Sequence, residues 1–88
     1  MPDEFTSIEY NQYLDAKGLN CPLPILKAKL ALNLMTQGDV LCVEATDPHS
    51  TIDFKAYCAR SGHELIHTDT MDNVITFYIK KRSGDHAP

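Results

Sequence analysis

Apolar residues along the chain fall into six periodic runs separated by breaks rich in glycine, proline, asparagine and aspartate. Between residues 8 and 15, Ile8, Tyr10 and Leu14 share one parity, which predicts a strand. Lys17-Gly18-Leu19-Asn20 reads as a loop. From Pro22 to Gln37 the spacing predicts a helix: Leu23, Leu26, Leu30 and Leu34 form a stripe, Ala31 widens it, and Gly38 supplies the stop. This leucine stripe is the expected buried face. Val40 to Ala45 is a short, mostly apolar strand. Asp47-Pro48 closes it and opens a second helix, since proline at the first helical position forfeits no hydrogen bond. Ser50-x-x-Asp53 offers a rival capping box a little later. Phe54, Tyr57, Cys58 and Ser61 then fall at i, i+3, i+4 and i+7 and predict that helix's buried face, with Gly62 as its end. Glu64 to Thr70 and Val74 to Lys80 read as two strands around a turn at Met71-Asp72-Asn73.

The order β-α-β-α-β-β constrains the topology. Right-handed crossovers place both helices on one face of a mixed four-stranded sheet, an α+β (α/β) two-layer sandwich. A single domain is expected over residues 8–82, with the polar ends 1–7 and 83–88 disordered. No sequence is left to cover the other sheet face. Val40, Cys42 and Tyr78 on that parity are therefore expected to be solvated or used by a partner.

Composition narrows the function classes. The chain has 88 residues, enough for one modest core. Twelve acidic residues against eight basic ones give a net charge of −4 and argue against direct nucleic-acid binding. No run approaches the roughly 18 apolar residues of a membrane span. The acidic N-terminus lacks the basic-then-apolar layout of a signal peptide. Three cysteines, Cys21, Cys42 and Cys58, cannot close a disulfide framework, and none lies in a C-x-x-C pair. Unpaired thiols without an export signal point to the cytoplasm. His49, His63, His67 and His86 offer no helical i, i+4 ligand pair, so neither a metal nor another cofactor is expected. Charge is uneven, however: residues 15–30 hold Lys17, Lys27 and Lys29 against Asp15 alone, a basic segment around Cys21 in an acidic chain.

Asn20-Cys21-Pro22-Leu23-Pro24 is where chemistry concentrates. Cys21 falls at the expected N-cap, with Pro22 as the first helical residue. A helix start presents unpaired N–H groups and the positive end of the peptide dipoles, which favour a thiolate over a thiol. The Cys21 pKa is therefore expected below the usual ~8.5. Pro22 and Pro24 have no N–H, leaving that of Leu23 as the donor a capping sulfur reaches most readily. The two prolines also stiffen the first turn. No base for Cys21 is evident in the sequence; Asp15 and Lys17 could approach through the loop. Cys58 reads as core, while Cys42, alternating against Leu41 and Val43, points to the open sheet face without an assigned role.

The run Leu14-Asp15-Ala16-Lys17-Gly18-Leu19-Asn20-Cys21-Pro22-Leu23-Pro24 resembles the signature of the TusA/SirA family of sulfur-carrier proteins, marked by a C-P-x-P motif. The likeness continues through Lys29, Gly38, Leu41-x-Val43, Asp47-Pro48, Asp53, Gly62-His63-Glu64-Leu65 and Ile79-Lys80-Lys81, over residues 10–82. The resemblance implies the same two-layer fold, and a persulfide carried on Cys21, supported by Gly18, Pro22, Leu23, Pro24 and Lys29. It implies a cysteine desulfurase or rhodanese-type donor, and a relay acceptor leading to tRNA thiolation or another sulfur pathway. Alternatives are a regulatory or protein-binding module using the open sheet face, or a relative handling thiosulfate or selenium.

Overall fold

The protein is described here by a computed structural model over residues 8–82; the expected disordered ends, 1–7 and 83–88, lie outside the described residues. Six elements follow in the expected order: β1 (Gln12–Ala16), α1 (Leu23–Asn33), β2 (Val40–Ala45), α2 (Ser50–Ser61), β3 (Glu64–Met71) and β4 (Val74–Lys80). They form one four-stranded sheet ordered β1-β2-β4-β3. β1 and β2 pair parallel, with Tyr13 opposite Cys42 and Ala16 opposite Ala45. β4 runs antiparallel to β2 on one side and to β3 on the other. The second crossover thus carries the chain past a vacant strand position, which β4 then fills.

The β3–β4 hairpin shows why local residues dictate that return. Asp72 and Asn73 both take positive φ, 52° and 68°, the conformation a two-residue turn needs to match the twist of its strands. Asn and Asp tolerate that region better than other non-glycine residues. At the far end of α2, Gly62 adopts φ 87° and its N–H bonds the Cys58 carbonyl, closing the helix where the sequence places its stop.

The core lies between the helices and one sheet face. Leu41, Val43, Ala45, Ile75, Phe77 and Ile79 project from the two central strands onto Ala28, Leu32, Phe54 and Cys58 of the helices. Cys58 is core, as its spacing indicates. Tyr57 and Ser61 are only half-buried; Ser50, Phe54 and Cys58 form the inner face of α2.

Three local expectations are corrected. The strand begins at Gln12 rather than Ile8, because β1 has pairing partners only where β2 runs beside it. The first helix ends at Asn33, four residues short of Gln37, in a turn through Leu34 and Met35; Gly38 instead donates its N–H to the Lys81 carbonyl. α2 starts at Ser50, so Pro48 precedes it, and no Ser50–Asp53 capping box forms: Ser50 Oγ is buried without a hydrogen bond.

The largest correction concerns the leucine stripe. Leu23, Leu26, Leu30 and Leu34 all face outward, the last two 66% and 89% exposed. The buried residues of α1 are Pro24, Ala28 and Leu32. At about 100° per residue these lie opposite the stripe. Small residues on that side let the helix axis approach the sheet, with Leu32 fully buried and Ile25 partly buried against the core.

Candidate functional site

Two loops converge beside the start of α1. The Lys17–Asn20 loop leaves β1 through Gly18, whose φ of 82° requires a residue free of a Cβ penalty, and Gly18 N–H donates to Thr46 Oγ1 at 2.9 Å. Beyond β2, Asp47 organises the second loop. Its Oδ1 accepts the His49 N–H at 3.0 Å, and its Oδ2 accepts the Cys21 N–H at 2.5 Å. One carboxylate therefore ties the backbone of Cys21 to the turn that opens α2.

Cys21 is exposed, but it is not the N-cap. α1 begins at Leu23 and Pro22 holds the cap position, after a cis Cys21–Pro22 peptide bond. The Leu23 N–H, expected to face the sulfur, donates to the Asn20 carbonyl at 2.8 Å. Pro24 is buried against the core, whereas Pro22 and Leu23 stay exposed.

The decisive contact comes from α2. Cys21 Sγ donates to Asp53 Oδ2 at 2.9 Å. The expected low pKa is therefore overturned: the hydrogen bond to Asp53 raises the thiol above its ordinary value, assisted by burial and the negative charges of Asp53 and Asp47. The cause is a competition of sources. A helix start offers roughly half an elementary charge spread over several N–H groups, and here proline and the Asn20 carbonyl remove some of those donors. A full carboxylate charge at hydrogen-bond distance outweighs them.

Asp53 also corrects the expectation about a base. Asp15 and Lys17 do not serve Cys21. Lys17 Nζ bonds Glu44 Oε1 at 3.0 Å, Tyr13 Oη at 3.2 Å and Asp15 Oδ1 at 3.1 Å. Asp53 was visible in the sequence only as a helix-start residue and as one of the matching positions of the family pattern; its placement 32 residues from Cys21 follows from the crossover, which no local pattern encodes.

Cys21 and Asp53 open onto a cavity of about 170 Å³, lined also by Ile25, Lys29, Tyr57 and Arg60. Lys29 Nζ lies 5.8 Å over the Tyr57 ring, which places this basic residue on the wall of the cavity. Among the described residues no group of three or more His, Cys, Asp or Glu side chains could hold a metal ion. Among the described residues no helix is long and apolar enough to cross a membrane.

The other thiols are different in kind. Burial pushes Cys58 up to about 11. Cys42 points to the open sheet face, yet is only 4% exposed. Tyr78, its register partner, and Tyr13 flank it on neighbouring strands, and Tyr10 packs its ring 6.3 Å from that of Tyr78. Burial raises the Cys42 pKa, offset in part by a hydrogen bond with Tyr78.

A two-layer domain that holds one exposed thiol at a helix start, with a carboxylate from the second helix upon it, defines a class of small thiol-bearing proteins. Residues 12–81 match the family model described as Sulfurtransferase TusA. The Sulfur carrier protein TusA of Allochromatium vinosum is 51% identical over 73 residues, 83% of this chain and 96% of that one. A Neisseria meningitidis serogroup A protein, named as a candidate sulfur carrier, is 47% identical over 72 residues, 82% of this chain and 97% of its own. The crystal structure of a SirA-like protein from Desulfitobacterium hafniense superposes with a TM-score of 0.72 at 26% identity, covering 83% of this chain and 100% of that one. The chain belongs to the TusA/SirA family of sulfur carriers.

Proposed function

We propose that this protein carries sulfane sulfur as a persulfide on Cys21, received from a donor enzyme and passed to an acceptor protein. The Cys21 sulfur attacks the outer sulfur of the donor's persulfide. A new S–S bond forms, the donor's S–S bond breaks, and its electron pair leaves on the donor's cysteine sulfur, which takes up the proton released by Cys21. An acceptor thiolate then removes the outer sulfur by the same exchange. Neither step oxidises or reduces the sulfur overall, and neither calls for a metal or organic cofactor. A cysteine desulfurase or a rhodanese-type enzyme is the fitting donor. A relay protein serving tRNA thiolation or another sulfur pathway is the fitting acceptor, in the cytoplasm.

One observation carries the reading: Cys21 is the exposed thiol at the mouth of a small cavity, in a chain that belongs to this family. Lys29 and Arg60 on the cavity wall favour an anionic persulfide there. The test is intact-protein mass spectrometry after incubation with a desulfurase and cysteine. The chain should gain the mass of one sulfur atom, and reduction should remove it. A gain that maps to Cys42 or Cys58 by peptide analysis contradicts the assignment.

A further inference from the structure

An exposed thiol that must wait for a donor is vulnerable to every stray electrophile and oxidant. In this structure it donates to an unpaired carboxylate, which disfavours the thiolate. Asp53 is half-buried in the first turn of α2, and its carboxylate accepts the Cys21 thiol. Among the described residues it forms no ion pair. The charged and titratable groups around the pair are otherwise engaged or lie apart. From the turn before α2, Asp47 is bound by the backbone of Cys21 and His49, and His49 Nδ1 lies 3.8 Å from that same carboxylate. From α1, Lys29 sits over Tyr57. From α2, Arg60 and Tyr57 line the cavity, and the ion pairs among the described residues are those of Lys17 with Asp15 and Glu44 and of His49 with Asp47. The start of α2 favours its charge, but no described side-chain cation is paired with Asp53.

We infer that Asp53 is a brake on Cys21, released when a docking partner seats a cationic side chain, Lys or Arg, on its carboxylate. This inference rests on the persulfide-carrier reading and adds the chemistry by which a legitimate partner is told from a stray reagent. A cation on Asp53 removes the acceptor of the thiol's hydrogen bond and cancels the nearest negative charge, so the thiolate fraction rises at the moment of docking. The proton leaves with the donor's cysteine sulfur, as in the exchange above. A reagent that brings no cation meets a thiol whose ionisation Asp53 disfavours and reacts more slowly. The same carboxylate thus slows the free protein and attracts the correct partner.

The test compares wild type with Asp53→Asn, which keeps the side-chain shape and removes the charge, and with Asp53→Glu, which keeps the charge. Two probes bring no cation: iodoacetamide and inorganic polysulfide. Both should modify Cys21 of the Asn variant several-fold faster near neutral pH, because the charge that disfavours the thiolate is gone. With a cysteine desulfurase as donor the order should change. The Asn variant should need several-fold more carrier for half-maximal loading, and that half-saturating concentration should respond less to salt than in wild type. The Glu variant should retain the salt response. Wild type reacting with iodoacetamide as fast as Asp53→Asn overturns the brake. Unchanged half-saturation and salt response with the desulfurase overturns the docking cation. If none of polysulfide, desulfurase or rhodanese-type donor puts sulfur on Cys21 of wild type, the carrier reading itself fails, and the inference falls with it.

Discussion

Phe54 stacks on Phe77 with ring centroids 4.4 Å apart, and Phe54 is the neighbour of Asp53 in the sequence. The core of the domain and the group that controls its thiol therefore share one turn of helix. Both rings are fully buried, so the first turn of α2 is fixed against β4, and the Asp53 carboxylate is presented to Cys21 from a rigid base.

Removing that support should unfold much of the protein. Phe77→Ala deletes a buried ring for which large-to-small changes cost about 3–5 kcal/mol. That is a large share of the roughly 4–13 kcal/mol typical of a chain this long. Urea denaturation should show the midpoint falling by about a quarter or more, and any folded remainder should load sulfur poorly.

The two faces of α1 make opposite predictions. Leu32→Ala empties a buried position and should destabilise by about 2–5 kcal/mol. Leu34→Gln, at a residue 89% exposed, should change stability by no more than about 0.5 kcal/mol. Thermal melts of the two variants separate this structure from one in which the leucine stripe faces the sheet.

That contrast also shows what the sequence could disclose. Element order and the hairpin turn were legible because alternation, Gly62 and Asp72-Asn73 act locally. Cys58 was legible because helix two has a single apolar face. Helix one carries two candidate faces. Bulk favours Leu23, Leu26, Leu30 and Leu34, but close packing on the sheet selects Pro24, Ala28 and Leu32, a choice made by the sheet and not by the helix. The same limit hid the state of Cys21. Its motif and the helix start are local, and together they imply an acidic thiol. The carboxylate that reverses this arrives by a crossover 32 residues away.

Thiol reactivity should follow burial and charge. Iodoacetamide under native conditions should label Cys21 first, because Cys42 and Cys58 are buried. The pH midpoint of Cys21 labelling should lie above the ordinary ~8.5 of a free cysteine, since Asp53 and Asp47 both raise that thiol. A midpoint below that value would mean that the helix start dominates after all. Labelling of all three thiols under urea serves as the reference.

Asp47 links pH to the shape of the site. The His49 and Cys21 N–H groups hold its carboxyl below the usual carboxylate range. A group whose folded pKa is depressed contributes stability above its unfolded pKa, near 3.9, and loses it as pH falls through the lower folded value. Asp47→Asn should therefore lower the melting temperature at pH 7, and the gap from wild type should narrow as pH falls below about 4. Its Cys21 backbone N–H, tied less firmly, should exchange with deuterium faster than in wild type.

Cys21→Ser tests the central claim most directly. Wild type and variant are incubated with the same desulfurase and cysteine, and their intact masses are compared before and after reduction. Wild type should gain one sulfur that reductant removes, and Cys21→Ser, equally folded by circular dichroism, should gain none. A serine variant that still acquires the reducible sulfur would show that Cys21 is not the carrier.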